Sequence, residues 1–217
     1  MDRLLILNLK AHEQGTGRKA RYIADIVNRL SNESGVRIVL AAQPTDIESL
    51  SYKNEVFAQH IDPVSYGSRT GHILPEAVRG AGATGALINH PEKSLSMEEI
   101  RQRIERAKNV GLTTIACAPN ADDAEEIAKM GPDYIAVESS ELRKTSVSKA
   151  NPALIEETVN RVRAANPAVR VLTGAGINSG RDVVIALALG SAGVMVASSV
   201  MKSDKPEETL KEILSGF

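Results

Sequence analysis

The stretch Thr84-Gly-Ala-Leu-Ile-Asn-His-Pro-Glu92 shows how the chain is built. Its short apolar run, 86–88, ends abruptly at Asn89, His90 and Glu92. A continuous apolar segment with polar residues only at its end is typical of a buried parallel strand. His90 is one of four histidines in the chain, and it lies at the carboxyl end of this predicted strand. Taken alone, it is more simply interpreted as a structural residue that hydrogen-bonds to the backbone.

The same pattern recurs along the chain, in alternation with segments of helical periodicity. Eight apolar runs are predicted strands: 3–8, 36–42, 56–59, 84–89, 112–118, 132–137, 169–173 and 192–197. Helices are predicted over 16–31, 75–80, 121–130 and 206–214. Three more are predicted to start at 44–46, near 97 and at 151–152, and one, after the seventh strand, is predicted to end near 189. Asn120 is the predicted N-cap of one helix, and Asn151-Pro152 opens another.

Evenly spaced strand–helix units without a break in composition predict one α/β domain over residues 1–217. A closed (β/α)8 barrel is favoured by the even spacing, and an open doubly wound sheet is the alternative. Units of about 27 residues require short helices. In a barrel, the active site lies in the loops that follow the strands.

Composition limits the possible partners. The 217 residues are 42% hydrophobic and 24% charged, which is enough for a sizeable core. The net charge is −1, with 26 basic and 27 acidic residues interspersed, so neither nucleic acid nor a membrane surface is an expected partner. The single cysteine, Cys117, has no partner for an internal disulfide, which favours a reducing cytoplasm. The N-terminal apolar run is too short for a signal peptide, and none reaches the roughly 18 residues that span a bilayer.

Residues at the strand ends form a candidate site. Lys10 follows the first predicted strand, His90 the fourth and Glu138 the sixth, a combination suited to proton transfer. Small-residue turns at 174–176 and 197–199 follow the last two strands, and such turns can bind phosphate through backbone N–H groups. The glycine turn alone is equally well explained as a tight connection, but the second turn beside it favours phosphate binding.

These residues form a set of motifs that occurs in a known order and spacing. The motifs are Asn8-x-Lys10, Ala58-Gln59, Gly67-x-x-Thr70-Gly71, Asn89-His90-x-Glu92, Glu138, Gly174-Ala-Gly176 and Gly193-Val-x-Val-Ala-Ser198. Together they resemble the triosephosphate isomerase family, most closely its short archaeal form, over essentially the whole chain. The resemblance implies a TIM barrel and the interconversion of dihydroxyacetone phosphate and D-glyceraldehyde 3-phosphate in glycolysis and gluconeogenesis. It implies no metal and no organic cofactor.

The resemblance also implies a role for each residue. Glu138 is the general base that moves a proton between neighbouring carbons. His90 is the electrophile that polarises the carbonyl, and Lys10 stabilises the enediolate and helps to hold the phosphate. Asn8 orients these groups, and Glu92 is a further proton-handling or positioning residue. The residues assigned to the phosphate are Gly174, Ala175, Gly176, Ala197 and Ser198.

His90 is expected to be neutral. It precedes a predicted short helix, whose dipole would disfavour the charged ring. Triosephosphate isomerase is itself a standard example of this arrangement, in which a neutral histidine acts beside a glutamate base.

The segment after the sixth predicted strand departs from the family pattern. The family loop closes over the phosphate, begins with proline after the glutamate and carries an Ile-Gly-Thr-Gly-like tip. Here residues 138–148 read Glu-Ser-Ser-Glu-Leu-Arg-Lys-Thr-Ser-Val-Ser, without proline or glycine. Glycine supplies backbone conformations that other residues rarely adopt, so we expect incomplete closure and some loss of phosphate from the enediolate. Arg143 and Lys144 are candidates for direct contact with the phosphate. Pro91 and Lys93-Ser94 also replace the usual residues after His90.

The loop 62–71 is long for a barrel connection, and long ordered loops are usually functional. In the family it inserts into the neighbouring subunit near that subunit's lysine, with Thr70 at the tip and Gly71 beside it. A homodimer or homotetramer is therefore expected, and a surface excursion is the alternative.

Two other functions are compatible with the sequence. One is a barrel enzyme that acts on another small sugar phosphate. The other is a weakly active homologue with a binding or structural role. An altered lid with a wider pocket would favour the first, and misplaced Lys10, His90 or Glu138 would favour the second.

Overall fold

The computed structural model describes residues 3–217. Parallel strands form a closed barrel in which each strand pairs with the next along the chain. They are β1 (Leu4–Asn8), β2 (Arg37–Ala42), β3 (Glu55–Ala58), β4 (Gly85–Ile88), β5 (Thr113–Ala118), β6 (Tyr134–Val137), β7 (Arg170–Thr173) and β8 (Gly193–Val196). Because β8 pairs back to β1, with Leu4 opposite Gly193, the open-sheet alternative is excluded. The predicted (β/α)8 barrel is confirmed.

Helices cover the outside of the barrel. They are α1 (Gly17–Ser34), α2 (Ile47–Ser51), α3 (Pro75–Gly80), α4 (Met97–Asn109), α5 (Ala121–Lys129), α6 (Ala153–Ala165), α7 (Gly180–Ala188), α8 (Ser198–Met201) and α9 (Pro206–Leu214). Single 3₁₀ turns lie at Glu13–Gly15, Pro91–Lys93 and Val147–Lys149. Within residues 3–217, none of the helices combines the length and apolar character needed to cross a bilayer.

Some helix boundaries differ from the prediction for local reasons. The first helix continues three residues beyond the predicted end at residue 31, to Ser34, where Gly35 adopts φ 68° and its N–H donates to Ser31. The predicted cap at Asn120 is confirmed, because its side chain accepts the Asp123 N–H at 2.8 Å. The predicted start of α6 is wrong by one residue: the helix begins at Ala153, and the Asn151 side chain accepts the Ala153 N–H.

The core has two layers because successive strand residues point to opposite faces. Leu4 and Ile6 point into the barrel, whereas Leu5 and Leu7 pack against the surrounding helices. The barrel interior is filled by the buried side chains of Leu4, Ile6, Val39, Ala41, Phe57, Leu87, Ile115, Cys117, Tyr134, Ala136, Leu172 and Met195. Since the interior is packed, polar groups that follow the strands collect at the carboxyl end of the barrel.

Candidate active site

A cavity of about 770 Å³ lies at the carboxyl end of the barrel. Most of the predicted site residues line it: Asn8, Lys10, His90, Glu138, Gly174, Ala175, Gly176, Ala197 and Ser198. Glu92 lines an adjoining cavity of about 340 Å³, to which Lys10 and His90 also contribute. Thr70 and Gly71 do not join this group, since they are exposed on the loop after β3.

Lys10 is held in an unfavourable backbone conformation. Its φ is 50°, and Asn89, with φ 60°, is the other non-glycine residue with positive φ in the described chain. The Lys10 N–H donates to Asn8 Oδ1 at 3.0 Å, and the Gln59 side-chain amide donates to Lys10 O at 3.0 Å. Such a conformation costs about 1–3 kcal/mol and persists only where the surroundings enforce it. The lysine is therefore positioned by its neighbours, and its ammonium pairs with Glu92 Oε1 at 2.8 Å.

Asn89 positions the turn that carries His90. Its side-chain amide donates to Cys117 O at 2.9 Å on the neighbouring strand, and its Oδ1 accepts the Leu95 N–H at 2.8 Å. Asparagine tolerates the left-handed region better than most residues. The start and the end of the turn 90–95 are thus tied to β5 through one side chain.

The His90 ring is held in one neutral tautomer. Its Nδ1 accepts the Glu92 backbone N–H at 3.2 Å, so the proton of the neutral ring is on Nε2. Burial, with a smaller effect of the Lys10 charge, lowers the pKa of His90 to about 4. The expected neutral state is therefore supported, but burial rather than a helix dipole is the main cause. The 3₁₀ segment after His90 is only three residues long.

Glu138 lies directly after β6 and is 4% exposed. Burial raises the pKa of Glu138 to about 7, against smaller opposing effects of the Cys117 thiol and Lys10. The thiol donates to Glu138 Oε1 at 3.5 Å, and the same oxygen lies 3.4 Å from His90 Nε2. A carboxylate with a pKa near neutrality is suited to general base catalysis.

Gly174 provides the space that Glu138 occupies. A Cβ atom at position 174 would lie 2.6 Å from Glu138 Cγ and 2.9 Å from Val137 O. Glycine at position 174 is therefore required by the neighbouring glutamate.

Asp182 is a site residue that the sequence analysis missed. It is 1% exposed, and it accepts the N–H groups of Ser148 at 2.9 Å, Asn178 at 3.0 Å and Ser179 at 3.1 Å. These bonds hold the pKa of Asp182 below its usual value although burial opposes them. Asp182 joins the segment after β6 to the turn after β7. The Ser179-x-x-Asp182 capping pattern was the available signal in the sequence.

The segment 139–150, here called the lid segment, borders the cavity. Its cationic residues Arg143, Lys144 and Lys149 are exposed and line the cavity. Gln59 and Cys117 were likewise not predicted as site residues, although one contacts the Lys10 backbone and the other contacts Glu138.

The site combines a carboxyl group whose pKa is near 7, a neutral histidine and a lysine around one cavity of a (β/α)8 barrel. This combination is typical of barrel enzymes that catalyse proton transfer. The family model described as triosephosphate isomerase matches residues 3–215. The chain belongs to the triosephosphate isomerase family, and its function is the intramolecular isomerisation of triose phosphates in glycolysis and gluconeogenesis.

Individual relatives agree with this assignment. The chain is 46% identical to a triosephosphate isomerase of Methanoculleus marisnigri, with 97% of each chain covered. It is 43% identical to the enzyme of Methanocaldococcus jannaschii, over 97% of this chain and 98% of the relative. The crystal structure of triosephosphate isomerase from Bartonella henselae superimposes with a TM-score of 0.74 at 17% identity, over 99% of this chain and 97% of the other. That likeness supports the fold.

Proposed function

We propose that Glu138 and His90 together isomerise dihydroxyacetone phosphate and D-glyceraldehyde 3-phosphate through an enediolate. The observation that carries this proposal is the 3.4 Å distance between His90 Nε2 and Glu138 Oε1 at the edge of the cavity. Ionised Glu138 removes a proton from the carbon next to the carbonyl and returns it to the neighbouring carbon. A pKa of about 7 makes the carboxylate available at neutral pH and still able to release the proton.

His90 acts on the substrate oxygens. Because its Nδ1 accepts the Glu92 N–H, its Nε2–H is free to donate to the carbonyl oxygen as negative charge develops there. The neutral ring can then pass protons between the two oxygens of the enediolate. Lys10 stabilises the negative charge electrostatically, and Glu92 holds the lysine through their ion pair. Asn8 orients the lysine because Asn8 Oδ1 accepts the Lys10 backbone N–H.

The turns after β7 and β8 are the proposed phosphate site. Gly174, Ala175 and Gly176 line the cavity beside Ala197 and Ser198, which lie at the start of α8. Backbone N–H groups in small-residue turns can approach an anion closely. In this proposal the phosphate is bound near Lys10 and the reacting carbons lie next to Glu138, since all of these residues line the same cavity.

A coupled assay tests the catalytic roles. We expect Glu138→Gln to lower kcat for D-glyceraldehyde 3-phosphate by at least about a hundredfold, because an amide cannot accept the substrate proton. The matched control is Glu105→Gln, since Glu105 is exposed on α4 and outside the cavity. Unchanged activity in Glu138→Gln would defeat the proposal.

We also propose a homodimer or homotetramer, in which the loop after β3 reaches a second subunit. Its base is closed because the Asp62 N–H donates to Ile73 O at 2.9 Å and the Ile73 N–H donates to Asp62 Oδ2 at 2.8 Å. Buried Arg103 from α4 donates to Ile61 O at 3.0 Å. Residues 65–72 are nevertheless exposed, including Tyr66 at 76%. A loop fixed at its base and exposed at its tip is suited to docking.

Sedimentation equilibrium tests the assembly. Wild type is expected to be a dimer or tetramer, and Tyr66→Ser with Thr70→Asp should shift it towards the monomer. A monomeric wild type at micromolar concentration would defeat this proposal.

The proposed location is the cytoplasm, in keeping with a single buried thiol. The proposed organisation is one domain, in keeping with a closed barrel.

A further inference from the structure

Eight of the twelve residues of the lid segment have a backbone N–H that is already hydrogen-bonded within the protein. The Arg143 N–H donates to Ser139 O at 3.1 Å, and the N–H groups of Lys144 and Thr145 donate to Glu141 O at 2.9 and 3.2 Å. The remaining engaged N–H groups belong to Leu142, Val147, Ser148, Lys149 and Ala150. Each amide carries one proton, so a phosphate bound by these groups would have to break existing hydrogen bonds. These eight amides of the lid segment are therefore poorly suited to bind an anion.

The side chains of the segment offer a different means of binding. Arg143 and Lys144 are exposed, line the cavity, and have no ion-pair partner among residues 3–217. Arg143 is near enough to the reacting groups for its charge to lower the pKa of both His90 and Glu138. Both side chains thus belong to the wall of the cavity that is the proposed substrate site.

Apart from Arg143 and Lys144, the positive charge of the cavity lining comes from Lys10 and Lys149. Lys10 lies close to the reacting groups, and Glu92 Oε1 lies 2.8 Å from its ammonium. Asp182 and ionised Glu138 add negative charge to the cavity wall. Arg143 and Lys144 add positive charge that a phosphate dianion requires, and a planar guanidinium can contact two phosphate oxygens at once.

We propose that Arg143 and Lys144 bind the substrate phosphate through their side-chain charges, in place of backbone N–H groups of the lid segment. This inference rests on the proposed function and adds two specificity-determining residues to it. Binding of this kind is electrostatic and partly exposed to solvent. It therefore weakens as salt screens the charges, more than binding by buried amides would.

Calorimetric titration with inorganic phosphate tests the inference without turnover. The variants are Arg143→Gln combined with Lys144→Gln, and Arg163→Gln as a matched control that is exposed on α6 outside the cavity. In low salt, the double variant should bind phosphate about tenfold or more weakly than wild type, and Arg163→Gln should match wild type. The difference should shrink in high salt. Thermal melting of both variants should equal that of wild type, because the altered side chains are exposed.

Equal phosphate affinity in the double variant and the wild type would overturn the inference, as would a wild type that does not bind phosphate. These outcomes are separable from failure of the proposed function. Glu138→Gln should bind phosphate at least as tightly as wild type, because it removes a negative charge from the cavity wall, while losing isomerisation. A wild type that isomerises no triose phosphate, yet loses phosphate binding in the double variant, would defeat the catalytic proposal and leave this one standing.

Discussion

His90 Nε2 lies 3.4 Å from Glu138 Oε1, and burial shifts the two groups in opposite directions. It lowers the pKa of His90 to about 4 and raises the pKa of Glu138 to about 7. Burial therefore favours the neutral form of each group. Between about pH 4 and pH 7 the histidine is neutral and the carboxyl group is protonated, so no imidazolium–carboxylate ion pair is expected. The reactive combination, a neutral ring beside a carboxylate, predominates only above about pH 7.

The first prediction concerns the pH dependence of catalysis. Since Glu138 must lose its proton to act as a base, kcat/KM should rise about tenfold per pH unit up to about pH 7 and then level off. His90 adds no inflection in this range because it is already neutral. The measurement is kcat/KM as a function of pH, expressed per concentration of one ionisation state of the substrate phosphate. An acidic limb near pH 4.5, the ordinary glutamate value, would contradict the assignment.

Stability should show the cost of burying this carboxyl group. The folded pKa of Glu138 is raised from 4.5 to about 7, so the folded state binds the proton more tightly and loses stability as pH rises between these values. Glutamine carries no charge at any pH, so Glu138→Gln avoids this loss. The change in the free energy of unfolding that it causes should be up to about 3 kcal/mol more favourable above pH 7 than below pH 4.5. Urea titrations at both pH values provide the measurement. Glu105→Gln should show no such difference, and a pH-independent effect of Glu138→Gln would refute the burial account.

Gly174→Ala should impair catalysis through Glu138. The added Cβ would lie 2.6 Å from Glu138 Cγ, so the glutamate must move, at a cost of about 1–3 kcal/mol in stability. We expect kcat to fall more than phosphate affinity. Gly80→Ala is the matched control, because nothing lies within 4 Å of its Cβ position at the end of α3. If the two variants have equal kcat, Gly174 has no role in placing the base.

Asp182→Asn should loosen the lid segment. The Asn amide nitrogen cannot accept, so at least one of the N–H groups now bound by the carboxylate loses its acceptor, at about 1–3 kcal/mol each. Hydrogen exchange at the Ser148 amide should accelerate, and KM should rise. Asp204→Asn, at an exposed position, serves as the control. Unchanged Ser148 protection would show that Asp182 does not anchor the segment.

The sequence predicted the barrel and most of the residues that meet at the candidate site because each signal was local. Lys10, His90 and Glu138 follow apolar runs, and the closed sheet brings such residues together. Gln59 and Asp182 were missed as site residues because each hydrogen-bonds to the backbone of a distant segment. Gln59 donates to Lys10 O, and Asp182 accepts the Ser148 N–H. The cause of the His90 pKa shift was also beyond the sequence, since burial depends on packing around the ring.

The absence of glycine from residues 139–149 was visible in the sequence, and it predicted an incomplete lid. Tertiary structure adds that the amides of this segment bond mainly among themselves and to Gly176 and Asp182. How far it closes over a bound substrate stays a prediction. Release of inorganic phosphate during turnover is the corresponding measurement, and it should increase when Arg143 and Lys144 are replaced.

Proton exchange with solvent tests the central claim most directly. D-Glyceraldehyde 3-phosphate converted in D2O and followed by proton NMR should give dihydroxyacetone phosphate that carries deuterium on the carbon that receives the proton. The label enters because the proton held by Glu138 exchanges with solvent before it is returned. Glu138→Gln should abolish both conversion and label. Conversion by Glu138→Gln at the wild-type rate, with or without label, would contradict proton transfer through Glu138.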